Sequence, residues 1–368
     1  MEKVAKEKYT GCLMGGAIGD ALGAPIEFKS LTEIREAYGQ TGVSGYVEYE
    51  DGTGEYTDDT QMTLFTAEAL LRAYHRAMLK GVEGALTTIA HQSYLRWLHT
   101  QNGCVTAADR VEQADDAEEK GWLIRQPSLY RRRAPGNTCI SALSSGRAGT
   151  IERRINNSKG CGTIMRIAPV GLMYDGDHDK AFEVACKLSA ITHGHPTGYL
   201  SAGFLAAVIA DLAVGIELET AIGSALSILK ERPGHQETMD AVESAKDLAE
   251  EIRRKEEPLS AETMERLGGG WVAEEALSLS IFASLIFKDY FAEGVLFSVN
   301  HSGDSDSTGS ITGNILGLIH GIDRIPQEWV KNLRNNGIVR DVAADLYMQV
   351  KGSAEEPDST WWERYPGC

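Results

Sequence analysis

Residues 11–23 read GCLMGGAIGDALG and residues 309–321 read GSITGNILGLIHG, so glycine recurs at Gly11, Gly15, Gly19 and Gly23 and again at Gly309, Gly313, Gly317 and Gly321. A spacing of four places each set on one face of a helix. Glycine inside a helix costs roughly 1 kcal/mol relative to alanine, a heavy loss over two such stripes unless something offsets it. Close approach is that gain, because faces of small residues let helix axes come nearer than the usual separation of about 8–10 Å. Both stretches therefore read as central helices.

Outward from them, apolar residues keep helical spacing: Met62, Phe65, Ala69 and Leu70, then Leu86, Ile89, Ala90, Ser93 and Trp97, then Val272, Ala276, Leu279 and Ala283. The pattern predicts an all-α fold. Strand character is confined to GVSGYVEY at 42–49, which reads as a hairpin or a long loop. The periodicity breaks between Thr100 and Asn137, where a charged run from Asp109 to Lys120 and the basic Arg131–Arg133 make either a lid or a solvated connector. Ala241–Glu257 is read as a helix with a charged solvent face. No linker divides the chain, so residues 1–368 are expected to form one large orthogonal helical bundle. The aromatic C-terminal segment with Trp361, Trp362 and Tyr365 could dock on that body or hang free.

Charge narrows the function classes. Against 36 Lys and Arg stand 53 Asp and Glu, a net charge of -17 that repels nucleic-acid backbones and anionic lipid. No nucleic-acid or membrane partner is expected. The apolar run at Tyr199–Ile216 is interrupted by Asp211 and suits a buried helix better than a membrane span. Six cysteines without a CxxC pair suggest reduced thiols, and the opening MEKVAKEKYTGCLMGG lacks an apolar secretory core, so the expected location is cytoplasmic.

Two acidic clusters sit at predicted helix starts, Thr57-Asp58-Asp59-Thr60 and Asp304-Ser305-Asp306-Ser307. Either could be a set of N-caps, worth about 1 kcal/mol each. A cap needs one residue, however, whereas hard divalent cations need several oxygen ligands. A shared cation site requires the clusters to meet in space. An EF-hand is excluded, because Ile315 occupies the place of the bidentate glutamate. Lys159-Gly160-Cys161-Gly162-Thr163 is a plain turn or a loop whose amides face an anion; it lacks the GK[ST] of a Walker loop. His193 and His195 flank Gly194, and Glu27 emerges from the first glycine helix toward the same centre.

Together GCLMGGAIGDALGAPIEF, YTDDTQMTLFTAEAL, RAPGNTC, GCGTIMRIAPVG, THGHPTGYLSAG and HSGDSDSTGSITGNILGLIHG resemble, in order and combination, the ADP-ribosylglycohydrolase family. The resemblance runs from Gly11 to Gly321. It implies an all-α fold around a central binuclear magnesium site, with Mn²⁺ as a substitute, and ligands Thr57, Asp58, Asp59, Asp304, Asp306 and Ser307. It further implies that Gly160, Cys161, Gly162, Thr163 and His193 hold a diphosphate, that Asp58 or Asp59 orients or deprotonates a water, and that Glu27 has a catalytic or gating role. The implied reaction is hydrolysis of the N-glycosidic bond between ADP-ribose and an arginine of a mono-ADP-ribosylated protein, releasing ADP-ribose. Alternatives are a serine- or poly-ADP-ribose hydrolase, an immunity protein acting on or occluding an ADP-ribosyltransferase toxin, and a binuclear-metal phosphohydrolase.

Overall fold

The computed structural model describes residues 2–81, 84–102, 121–352 and 359–367. Most of the expected excursion, 103–120, lies outside the described residues. The first part of the chain forms α1 (Glu2–Gly23), α2 (Leu31–Tyr38), α3 (Asp58–Lys80), α4 (Leu86–Asn102), α5 (Asn137–Ser144) and α6 (Ala168–Met173). There follow α7 (His178–Ala190), α8 (Pro196–Ala213), α9 (Leu218–Lys230), α10 (Gln236–Arg253), α11 (Ala261–Met264) and α12 (Ala273–Ile286). The last are α13 (Phe291–Val299), α14 (Ser305–His320), α15 (Gln327–Asn332), α16 (Asn336–Lys351) and α17 (Ser359–Arg364). β-pairing among the described residues is limited to isolated bridges at Gly54–Leu333 and Gly160–Val272. The fold is all-α.

The two glycine helices make the broadest contact in the bundle. A Cβ built on Gly11, Gly15, Gly19 or Gly23 would stand 2.2, 2.3, 1.9 or 2.3 Å from the carbonyl oxygens of Gly317, Gly313, Gly309 and Ser305. Numbers rise on one helix as they fall on the other, so α1 and α14 are antiparallel, backbone against backbone. The end of α1 therefore lies on the start of α14. Around this pair pack α13, α12 and α16, while α8 is buried from Thr197 to Ala213 beneath α6, α7, α9 and α12. Although α8 is long and apolar enough to cross a membrane, 89% of it is inside the protein, where it serves as a core helix.

Both acidic clusters do begin helices. Thr57 caps α3, its hydroxyl accepting from Asp59 N, with Asp58 and Asp59 in the first turn where the helix dipole favours negative charge. Asp304 caps α14 by accepting from Ser307 N. Left-handed glycines end the two helices, Gly81 at φ 61° and Gly321 at φ 72°. The 42–49 stretch is a loop. Its Val43 pairs through both backbone groups with the Asn300 side chain, at 2.8 and 2.9 Å, in place of a strand partner.

The C-terminal segment docks. Tyr365 is fully buried and donates to Asp345 Oδ2 at 2.6 Å, and Arg364 pairs with Asp341 and Asp345 while its guanidinium covers the Trp122 ring at 3.8 Å. His75 on α3 completes this box: its Nδ1 meets Tyr365 O at 2.7 Å and its Nε2 accepts from Trp361 Nε1.

Close approach predicts opposite outcomes for two glycine substitutions. Gly19→Val drives a branched side chain into Gly309 O and should destabilise by about 3 kcal/mol, the upper range for overpacking. Gly223→Ala in α9, where a Cβ meets nothing within 4 Å, should stabilise by about 0.5–1 kcal/mol. Urea unfolding followed by circular dichroism measures both.

Candidate functional site

Because α1 and α14 run antiparallel, the chain leaving Gly23 passes the acidic start of α14. A second link comes from Asp20, one turn back on α1 and fully buried. Its carboxylate accepts from Thr57 N at 2.8 Å, from Thr60 N at 3.0 Å and from Thr60 Oγ1 at 2.6 Å, and so ties the start of α3 to α1. The two clusters then touch: Thr57 Oγ1 donates to Asp306 Oδ2 at 3.2 Å across 249 residues of sequence. Asp20 carries no motif of its own in the sequence, although an acid within a buried glycine helix is a signal, since a carboxylate there must find donors.

The helix ends open on a cleft of about 340 Å³ lined by Glu27, Asp58, Asp59, Asp304, Asp306 and Ser307 on one side, and by Gly160, Cys161, Gly162, His193 and residues 134–139 on the other. One oxygen each from Glu27, Asp304 and Asp306 lies within 4.8 Å of the others. Such crowding disfavours ionisation. Burial, with Asp306, Asp304 and Asp58 close by, pushes Glu27 up to about 10. Burial and then Asp306 hold Asp58, Asp59 and Asp304 well above the usual carboxylate range. Asp20 is pushed up to about 7 by burial and Asp306, against the opposing pull of its Thr60 and Thr57 hydrogen bonds.

These residues suit a divalent cation. The donors are hard oxygens, and among the described residues buried Asp59 Oδ2 has no hydrogen-bond partner and no Lys or Arg lines the cleft to balance the charge. A cation among them would favour the ionised form of every carboxylate. The compact carboxylate cluster is Glu27, Asp304 and Asp306, so Glu27, expected from the sequence in a catalytic or gating role, stands among potential ligands. Asp58 and Asp59 line the same cleft, and Thr57 lies behind it against Asp306.

On the opposite wall, Cys161–Thr163 forms a 3-10 turn. Gly160 N donates to Ser158 Oγ and Cys161 N to Trp271 O, both at 3.3 Å, so these two amides are already committed. Thr163 is fully buried and donates to Gly198 O at 2.7 Å, whereas Cys161 reaches the acidic wall, its thiol 2.8 Å from Asp304 Oδ2. The two histidines divide: His195 caps α8, accepting from Thr197 N, and His193 faces the cleft, pushed down to about 3 by burial and the nearby Arg166. The described end of the excursion returns through Arg133 and Ala134–Asn137, and Gly136 N donates to Asp58 Oδ2 at 3.2 Å. At the mouth Phe28, 71% exposed and at φ 67°, stacks on Trp271 with ring centroids 5.1 Å apart. Neither aromatic was identified from the sequence.

A family model described as ADP-ribosylglycohydrolase matches residues 1–356, and the chain belongs to that family. An uncharacterized protein of Archaeoglobus fulgidus is 29% identical, covering 93% of this chain and 96% of its own length. ADP-ribosylarginine hydrolase Tri1 of Pseudomonas putida is 23% identical over 93% of this chain and 78% of its own. ADP-ribosylhydrolase ARH3 of Mus musculus is also 23% identical, over 88% of this chain and 86% of its own. The protein is a glycohydrolase of this family, with hydrolytic activity on ADP-ribose linkages and residues able to hold a metal.

Asp20→Ala leaves buried Thr57 and Thr60 N–H groups without an acceptor, at about 1–3 kcal/mol each. Denaturant unfolding should report that loss, and a Mn²⁺ titration should show weaker binding, because Thr57, Asp58 and Asp59 hang on the same turn.

Proposed function

We propose that the protein is a magnesium-dependent hydrolase that cleaves the N-glycosidic bond between ADP-ribose and an arginine side chain of a mono-ADP-ribosylated protein. The observation that carries this reading is the convergence of both acidic clusters on one cleft whose far wall is glycine-lined and bears His193. We assign two Mg²⁺, replaceable by Mn²⁺, to Thr57, Asp58, Asp59, Asp304, Asp306 and Ser307, with Glu27 beside them. Bound ions supply Lewis acidity to the ribose end of the site.

The chain's own groups do the rest. The wall at Gly160–Gly162, whose first two amides are committed within the protein, receives the diphosphate through the room left at Gly160 and Gly162, with His193 facing it, and leaves the ribose over the acidic wall. Asp58 or Asp59 orients the attacking water and takes its proton. As the C–N bond breaks, the anomeric carbon gains oxocarbenium character, and Glu27 with the clustered aspartates stabilises that positive charge. The bond's electron pair leaves with the guanidine, which is readily protonated. A serine alkoxide would instead need a positioned acid. The cationic guanidinium also matches a cleft whose described lining carries carboxylates and no Lys or Arg. ADP-ribose and the unmodified arginine are the products. The cytoplasm is the proposed setting.

The test is a time course on arginine- and serine-linked mono-ADP-ribosylated peptides at equal concentration, with Mg²⁺ or with chelator. ADP-ribose should appear first from the arginine peptide and only with metal. Faster release from the serine peptide overturns the acceptor, and free phosphate as the product overturns the reaction class. Asp59→Asn should lower turnover by about 10²-fold or more, on the scale of losing one preorganised transition-state contact. Its helical circular dichroism spectrum should persist, because Thr57 rather than Asp59 caps α3.

A further inference from the structure

Arg166 is fully buried behind the cleft, and no carboxylate faces it among the described ion pairs. A buried cation without a counterion is costly, so its retention asks for a reason. The guanidinium lies 4.3 Å from the centroid of the Tyr94 ring, and Nη1 approaches Cys139 Sγ at 3.5 Å. Its one short hydrogen bond to oxygen runs from Nη2 to Thr192 Oγ1, at 2.8 Å. The same Thr192 oxygen is 2.8 Å from His193 Nδ1. Arginine only donates. With one lone pair of Thr192 taken by Arg166, the hydroxyl hydrogen turns away from the guanidinium, toward His193 Nδ1 in preference to the Cys139 thiol, which is also within reach but is the weaker acceptor. The imidazole proton then sits on Nε2. That nitrogen faces the glycine wall, for a Cβ added at Gly160 or at Gly162 would lie 3.4 Å from it. Among the described residues the cleft lining holds no Lys or Arg, so an anion there draws on N–H donors and on charge set behind the wall.

We propose that Arg166 is a positioning residue which, through the Thr192 hydroxyl, fixes His193 as an Nδ1 acceptor and presents its Nε2–H to the diphosphate of the ligand. The diphosphate is supplied by the proposed function above, on which this inference rests; the Arg166–Thr192–His193 chain is a property of the protein without ligand. The guanidinium also adds a buried positive charge on the diphosphate side of a cleft whose other wall is acidic, which orients an ADP-ribosyl group with its ribose toward the carboxylates.

The test combines nitrogen NMR of protein labelled at histidine with calorimetric titration of ADP-ribose, on the full chain. In the ligand-free wild type His193 should show a protonated Nε2 and an unprotonated Nδ1. Thr192→Val removes the hydroxyl at nearly constant shape; it should mix the two tautomers, weaken ADP-ribose binding about tenfold, and act on KM more than on kcat. Thr192→Ser should restore both signals, which a purely structural role for Thr192 would not require. Arg166→Met should weaken ADP-ribose binding further. An Nδ1-protonated His193 in the wild type, or a Thr192→Val protein with unchanged tautomer and affinity, overturns the proposal. If wild-type protein with the expected tautomer does not bind ADP-ribose, the relay stands as a structural fact while the proposed function and the relay's role toward diphosphate both fall.

Discussion

Contact between the backbones of α1 and α14 is the constraint on which the rest of the molecule depends. With glycine at Gly11, Gly15 and Gly19 facing Gly317, Gly313 and Gly309, each helix presents carbonyl oxygen where the other has no side chain. The register this imposes is tight, because a shift of α1 by one residue would point Met14, Ile18 and Leu22 into the partner in one direction, and Cys12 and Asp20 in the other. Register in turn decides which residues meet at the end of the pair. Gly23 lands on Ser305, so the loop carrying Glu27 runs beside Asp304 and Asp306. Asp20 then draws in the start of α3, and with it Asp58 and Asp59.

What this assembly holds together is electrostatically unfavourable. Five carboxylates share one cleft, and no Lys or Arg lines it among the described residues. Helix starts ease the conflict in part: Asp58 and Asp59 sit in the first turn of α3 and Asp306 in the first turn of α14, where the dipoles favour negative charge. Backbone donors help as well, from Gly136 to Asp58 and from Ser307 to Asp306. These contributions leave Glu27, Asp58, Asp59 and Asp304 with raised proton affinity and Asp59 Oδ2 without a partner among the described residues. A scaffold this rigid keeps the acids close despite their repulsion, and that is the condition under which a cation site is preorganised.

The glycine wall shows the opposite economy of charge. Its lining is backbone, uncharged side chains and one imidazole, while the cation that influences it, Arg166, is out of sight behind Thr192. Placing positive charge behind the wall keeps a long side chain from pairing with the acidic wall opposite. The C-terminal aromatic box around His75 has a related structural role, since Arg364 covers Trp122 and so anchors the returning chain that ends at Gly136, a donor to Asp58.

Much of this was legible in the sequence because it depends on local chemistry. A four-residue glycine period specifies a helix face that only close packing can justify. Clusters of Thr, Asp and Ser at Thr57–Thr60 and Asp304–Ser307 announce helix starts, and their surplus of oxygens suggested a cation. The family resemblance rests on the same stretches, and the family match bears it out. Other features depend on which distant residue a side chain meets. His193 and His195 are the same residue type two positions apart, yet one faces the cleft and the other caps a helix, because α8 begins immediately after His195. Asp20 looks like any acid until Thr57 and Thr60 arrive as donors. Phe28 becomes a rim residue through a left-handed backbone turn and a Trp271 that is remote in the chain. The 42–49 run has strand-like residues but pairs with an Asn300 amide, so pairing was decided by the partner that the bundle supplied. Helix identity and the chemistry of each cluster were determined by sequence alone, since neighbours within a turn set them. Which clusters share a site was decided only by the tertiary register of α1 on α14, a contact between backbones that carry no side-chain signature of their partner.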